Sequence, residues 1–229
     1  MLNITVRIDI WSDYVCPFCT VGERHLSLAL ENHPAREGVE IVWRSFQLDP
    51  DAPTEPEGTM VEYLSQSKGM PVGQVEAMNA SLAQRAAAVG LEFNWREAVN
   101  ANTRDAHRLG HLARGRGLGT AWDDTVKSGY FTQGKNVADH DQLRVFAEQV
   151  GLERAEVDRV LASDEYADAV AEEIALARQI GVQGVPFFVF DGRLAVSGAQ
   201  PVEVFTQALD QADQADQADQ AGQSVRDDQ

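Results

Sequence analysis

The side chains best placed to do covalent chemistry in this 229-residue chain are Cys16 and Cys19, its only cysteines, in the run Cys16-Pro17-Phe18-Cys19. Two cysteines cannot staple a chain of this length, and a reducing compartment would not keep such a staple. Their spacing suggests redox chemistry instead. The unpaired N–H groups and partial positive charge at the start of a helix stabilise a thiolate there. Such cysteines titrate at ~3.5–7.5 rather than ~8.5. An offset of three lets both sulfurs meet on one turn and close a small disulfide ring. Cys16, at the exposed start, is expected to attack, and Cys19, one turn inside, to resolve. Pro17 suits the first helical turn, where its missing N–H costs nothing.

Other readings of the pair stand beside this one. The cysteines could be core residues that happen to be close, or one of them a lone reactive thiol. His107 and His111 are four apart on an expected helix, so Cys16, Cys19, His107 and His111 make a formal Cys2His2 set. The gap between its halves is far from that of a zinc finger, and no metal is expected. A second feature is Gly184-Val185-Pro186-Phe187-Phe188. Proline is tolerated at the head of a strand, and on pattern alone an ordinary trans bond is the reading.

The elements that must position these residues follow from periodicity. Ile4, Val6, Ile8 and Ile10 alternate with polar residues as in a strand. A turn at Ser12-Asp13-Tyr14-Val15 leads to the cysteines, and a helix over about 20–30 follows. Pro34 and Gly38 end it, and residues 39–46 read as a second strand. Strand, helix and strand at this spacing form a βαβ unit with parallel strands. After a Pro- and Asp-rich loop at 49–58, the β signal almost vanishes until Phe187-Phe188-Val189-Phe190. Helical patches fill the interval, near 60–68, 72–89, 101–115, 120–128, 139–150, 153–161 and 164–180. Asp191-Gly192 signals a two-residue hairpin turn, with a strand at 193–196 and a helix at about 201–209 beyond it.

The expected architecture is one α/β sheet domain split in sequence, residues 1–58 with 176–210, around an inserted helical domain at 59–175. Asp-Gln-Ala repeats four times from Asp210, a period matching neither helix nor strand. Residues 211–229 therefore read as a frayed or disordered acidic tail, with helical continuation as the alternative.

Hydrophobic residues at 44% and charged residues at 24% are ordinary globular composition, which excludes a wholly disordered chain. A formal net charge of −17 argues against nucleic acid and anionic membrane as partners. No apolar run approaches the ~20 residues that span a bilayer. The first ten residues lack a basic leader and an uninterrupted apolar stretch, so a cytoplasmic location is expected. Nothing in the pattern fixes an oligomeric state.

Taken together, Cys16-Pro17-Phe18-Cys19 after a strand, the long helical insertion and Gly184-Val185-Pro186-Phe187-Phe188 resemble the DsbA-like thioredoxin-fold oxidoreductases. The FrnE-like branch is the nearest, a neighbour of the 2-hydroxychromene-2-carboxylate isomerases and kappa-class glutathione transferases. Asn102-Thr103-Arg104-Asp105-Ala106-His107 resembles that family's motif in the insertion. The resemblance covers about residues 4–209 and implies an α/β, thioredoxin-like fold with a large helical insertion. It implies a protein disulfide oxidoreductase, with Cys16 as nucleophile and Cys19 as resolving thiol. Pro186 is then a cis-proline beside the cysteines. Pro17, Phe18, Val185, Asn102, Arg104 and His107 are implied in binding thiol or disulfide substrates, whether protein or small molecule. No cofactor is implied beyond the redox-active disulfide, with glutathione a conceivable co-substrate.

Two departures matter: the dipeptide lacks the histidine of periplasmic DsbA, which points to a less oxidising couple, and the second cysteine pair of some FrnE-like proteins is missing. Two alternatives stand beside this activity. One is a glutathione-dependent isomerase or transferase acting on an aromatic or polyketide-like molecule, although those relatives carry serine where Cys16 stands. The other is a non-catalytic peptide-binding holdase.

Overall fold

Alternating burial shapes the first strand of the structure, a computed structural model that describes residues 6–31 and 33–227, with side chains through residue 217. In β1 (Val6–Ser12), Val6, Ile8 and Ile10 are wholly buried, while Arg7 faces outward. Ile4 and Thr5 of the expected strand lie outside the described residues. β1 runs parallel to β2 (Val39–Ser45) through the helix α1 (Pro17–Glu31) and a short 3₁₀ turn at Pro34–Gly38. β3 (Phe187–Phe190) pairs antiparallel with β1, and β4 (Leu194–Ser197) antiparallel with β3, giving the order β2-β1-β3-β4.

The β3–β4 hairpin differs from expectation by one residue. Phe190 pairs with Leu194, so Asp191, Gly192 and Arg193 form the connection. Asp191 and Gly192 both have positive φ, at 48° and 67°, the conformation that Asp-Gly favours.

One face of the sheet packs Ile8, Ile10, Phe188 and Phe190 against Leu26 of α1 and Phe205 and Leu209 of α9 (Val202–Asp227). The Phe188 and Phe205 rings meet edge-on at 4.7 Å. Each such side chain, fully buried, contributes ~1.5–3 kcal/mol. The described segment between β2 and β3 is helical: α2 (Met60–Lys68), α3 (Val72–Ala87), α4 (Arg104–Gly115), α5 (Gly119–Gln133), α6 (His140–Val150), α7 (Arg154–Leu161) and α8 (Ala167–Gln179). Several begin and end on local signals. Thr59 and Glu62 form a reciprocal capping box at the start of α2, and Gly69 closes it in the left-handed conformation. A second core of Leu109, Leu112, Trp122, Val126, Phe146 and Val160 holds the insertion together.

The reading of residues 211–229 as a frayed tail is corrected as far as Asp227, where α9 ends. Ala and Gln are good helix formers, and Ala212 is still buried on the sheet domain, so the last helix has no reason to stop at Leu209. Residues 228 and 229 lie outside the described residues. α8 packs against α4 and β2 alike, so the expected boundary at 175/176 falls within one helix.

Candidate active site

Pro17 is the first residue of α1, which places Cys16 at its N-terminal cap and Cys19 within the first turn. The Cys16 N–H donates to the Asp13 carbonyl at 3.1 Å, and the Cys19 N–H to the Cys16 carbonyl at 3.0 Å. Both cysteines are free thiols and buried, Cys16 at 3% and Cys19 at 0% exposure. Phe18 between them is 43% exposed. The helix thus presents an apolar ring to solvent beside a sheltered sulfur.

The loop before β3 closes the site from the other side. The Val185–Pro186 peptide is cis, and the Cys16 thiol donates to the Val185 carbonyl at 3.5 Å. Pro186 is buried. Its ring lies over Gly22, where an added Cβ would stand 2.9 Å from Pro186 Cγ. Cys16 therefore meets the Val185 backbone, and Pro186 meets the same helix further along at Gly22, with Pro17 starting the helix and Phe18 and Cys19 following in its first turn.

The inner thiol lies in a buried, charged setting. Burial pushes the Cys19 thiol well above its ordinary pKa, and its hydrogen bond to Cys16, the charge on Cys16 and the Glu23 carboxylate push it further. Only Lys127 opposes them among the leading influences. Lys127 is itself buried, on α5, and donates to both Glu23 oxygens, to Ser12 Oγ at 2.9 Å and to Asp123 Oδ2 at 2.7 Å. Burial raises Asp123 to about 7 against the pull of Lys127, and burial likewise raises Glu23. A lysine and two carboxyls, one able to carry a proton near neutrality, thus lie under the inner thiol.

Of the expected insertion residues, only His107 abuts the cysteine turn. It is 5% exposed, pairs through Nε2 with Asp13 Oδ1 at 3.3 Å and meets the Tyr14 ring at a tilt, 4.6 Å between centroids. Asp13 also accepts the Leu48 N–H at 2.8 Å, so this contact anchors the turn that carries Cys16. Asn102 is engaged elsewhere, donating to the Pro50 and Ala52 carbonyls at 2.9 and 3.0 Å. Arg104 starts α4, half-exposed, and pairs with Asp164 at 3.3 Å. His111 is held by Glu173 at 3.2 Å and Ser45 at 3.3 Å, away from the formal metal set.

Sequence reasoning missed Glu23, Asp123, Lys127 and Gly22. Glu23 had a signal, since four residues after Cys19 on a helix means one turn below it. Lys127 and Asp123 have an i, i+4 spacing to each other but lie about a hundred positions from α1, and no local pattern links them to it.

The model of the DSBA-like thioredoxin domain matches residues 7–210. This chain belongs to that family. A probable DsbA oxidoreductase of Streptomyces coelicolor is 43% identical, with 90% of this chain and 89% of that one covered and a TM-score of 0.86. A 2-hydroxychromene-2-carboxylate isomerase is similar at 15% identity, covering 90% and 95%, with a TM-score of 0.66. DsbM of Pseudomonas aeruginosa, a cytosolic disulfide reductase solved with GSH, is similar at 17% identity, covering 90% and 98%, with a TM-score of 0.63. At these lower identities the likeness is one of fold. No helix among the described residues is long and apolar enough to cross a membrane.

Proposed function

We propose that this DsbA-like protein exchanges thiols and disulfides through Cys16 and Cys19. The observation that carries the reading is the placement of the pair: Cys16 caps a helix with its thiol on the Val185 carbonyl, while Cys19 lies one turn further in at 0% exposure. The Cys16 thiolate attacks one sulfur of a substrate disulfide. That S–S bond breaks, the first substrate thiolate leaves and takes a proton from solvent, and a mixed disulfide forms on Cys16. Cys19 then gives its proton to the Glu23–Asp123 carboxyl pair and attacks Cys16 Sγ. The Cys16–Cys19 disulfide forms, the second substrate thiolate leaves, and the substrate is reduced by the two electrons the protein loses. Run backwards, the same steps oxidise a substrate dithiol.

Phe18 and the Val185 backbone beside Cys16 suit an extended chain laid across the site, pairing as an added strand does. Substrates are then protein or small-molecule thiols and disulfides, and glutathione is a suitable small one. With only two cysteines and no structural disulfide, a reducing cytoplasm suits this chemistry. A sulfur nucleophile at position 16 favours disulfide exchange over glutathione-dependent isomerisation, because a cysteine there forms mixed disulfides with glutathione. Reduction of insulin by the wild type with a thiol donor tests the reading. Cys16→Ser is expected to abolish turnover, and activity surviving in that variant would reject the proposal.

A further inference from the structure

A cavity of about 800 Å³ lies behind α1, away from the Cys16 sulfur, with Glu23 and Lys127 in its wall. Pockets of ~300–1,000 Å³ are the usual size for small organic ligands. Its floor is an uncovered strip of sheet. Val39, Ile41 and Trp43 of β2 pair with Val6, Ile8 and Ile10, which are completely buried, yet the three β2 residues are only half-buried. Leu30 and Phe131 extend this apolar surface.

Two helices wall the cavity with polar stripes. On α5, Thr120, Asp124, Ser128 and Thr132 recur every fourth residue and so share a face. On α1, Thr20, Arg24, Ser27 and Glu31, spaced by four, three and four, share a face as well. Gly22, against which Pro186 rests, falls about half a turn away at ~100° per residue. Cys16, Phe18, Val185 and Pro186 are not part of the lining.

The charges in the cavity decide what it would hold. Arg24 is tied to Glu31 at 3.0 Å and to the Val89 carbonyl at 3.1 Å. Lys127, 5.0 Å over the Trp43 ring, is neutralised by Glu23 and Asp123. Arg36 donates to the Glu31 carbonyl at 3.4 Å. Asp124 and Glu92 remain, two carboxylates without an ion pair among the described residues, facing one guanidinium. The chain's net charge of −17 adds to the field that draws in a cation.

We propose that this cavity binds an aromatic ammonium compound, its ring against Trp43, Ile41 and Leu30 and its cationic end towards Asp124. Hydroxyls of Thr120, Ser128 and Thr132 offer hydrogen bonds along the same wall.

Three indoles of nearly equal size separate charge from shape: tryptamine, neutral tryptophol and anionic indole-3-acetate. Each is titrated into the full reduced chain while backbone amide signals are followed by NMR. Tryptamine is expected to shift β2, α1 and α5 signals saturably, binding at least tenfold more tightly than indole-3-acetate. Asp124→Asn should weaken tryptamine at least threefold and leave tryptophol unchanged. Ser128→Trp, which fills the cavity from an exposed helix position, should remove both. Equal affinities for the three indoles would overturn the proposal. So would an absence of saturable shifts in those elements, or tryptamine binding that is unchanged in Asp124→Asn.

Discussion

Gly22 has no room for a side chain. An added Cβ would meet Pro186 Cγ at 2.9 Å and the Ala199 Cα at 3.2 Å, and neither a pyrrolidine ring nor backbone yields easily. Alanine normally gains ~1 kcal/mol over glycine inside a helix, but overpacking costs ~1–3 kcal/mol. Gly22→Ala is therefore expected to lower the melting temperature and to slow insulin reduction, because it pushes Pro186 away from α1. An unchanged melting temperature and rate would show that the contact is slack. Lys127 makes a second residue-scale case. Removing one partner of a buried charge cluster costs ~3–5 kcal/mol, so Lys127→Met should lose about that much in urea unfolding. The stranded Glu23 and Asp123 are relieved by protonation, so the variant should regain stability as the pH falls from 8 to 5. A variant whose stability does not improve over that range would contradict the charges assigned to this cluster. Neither residue could be singled out from sequence. The cysteine pair could, because its chemistry is carried by residue type and spacing, whereas Gly22 and Lys127 matter through what lies opposite them in space.

The junction of β2, α4 and α8 is organised by Glu173. Its carboxylate accepts the Ser45 N–H at 2.7 Å and faces Arg44 at 3.0 Å, His111 at 3.2 Å and Arg114 at 3.2 Å. Burial alone would raise its pKa, but the His111 hydrogen bond, the Arg114 charge and the Ser45 N–H outweigh burial and hold it well below the usual range. A carboxyl depressed on folding adds stability that is fully present above its unfolded pKa of ~4.3 and is lost as the pH falls below it. Thermal unfolding from pH 7 down to pH 2 should therefore show a steep acid limb. Glu173→Gln should lower the plateau at neutral pH and flatten that limb; a limb as steep as that of the wild type would place the acid sensitivity elsewhere. At this scale the sequence was most informative. The βαβ unit, the helices of the insertion and the hairpin were visible in periodicity and in Pro and Gly punctuation. The end of the last helix was not, since Asp-Gln-Ala lacks an apolar stripe and its helicity comes from propensity and from continuity with a docked segment.

Across the whole molecule, the insertion buttresses the cysteine turn as well as enlarging the fold. Ser12 is held by Lys127, Asp13 by His107, and Tyr14 accepts the Trp122 Nε1–H at 3.1 Å. Three successive residues before Cys16 are thus fixed by α4 and α5, across about a hundred positions of sequence. That long-range assembly was beyond local pattern, although the resemblance of the combined motifs already pointed to the family. In the proposed exchange this framework makes Cys16 the attacking thiol and Cys19 the resolving one. That assignment is tested most directly by trapping. Cys19→Ser and Cys16→Ser are each exposed to oxidised glutathione at neutral pH, and adducts are counted by mass spectrometry of the intact chain over time. Rapid, stable accumulation of a single glutathione adduct on Cys16 is expected in Cys19→Ser, with little adduct on Cys19 in Cys16→Ser. Equal rates in the two variants, or faster capture at Cys19, would contradict the assignment.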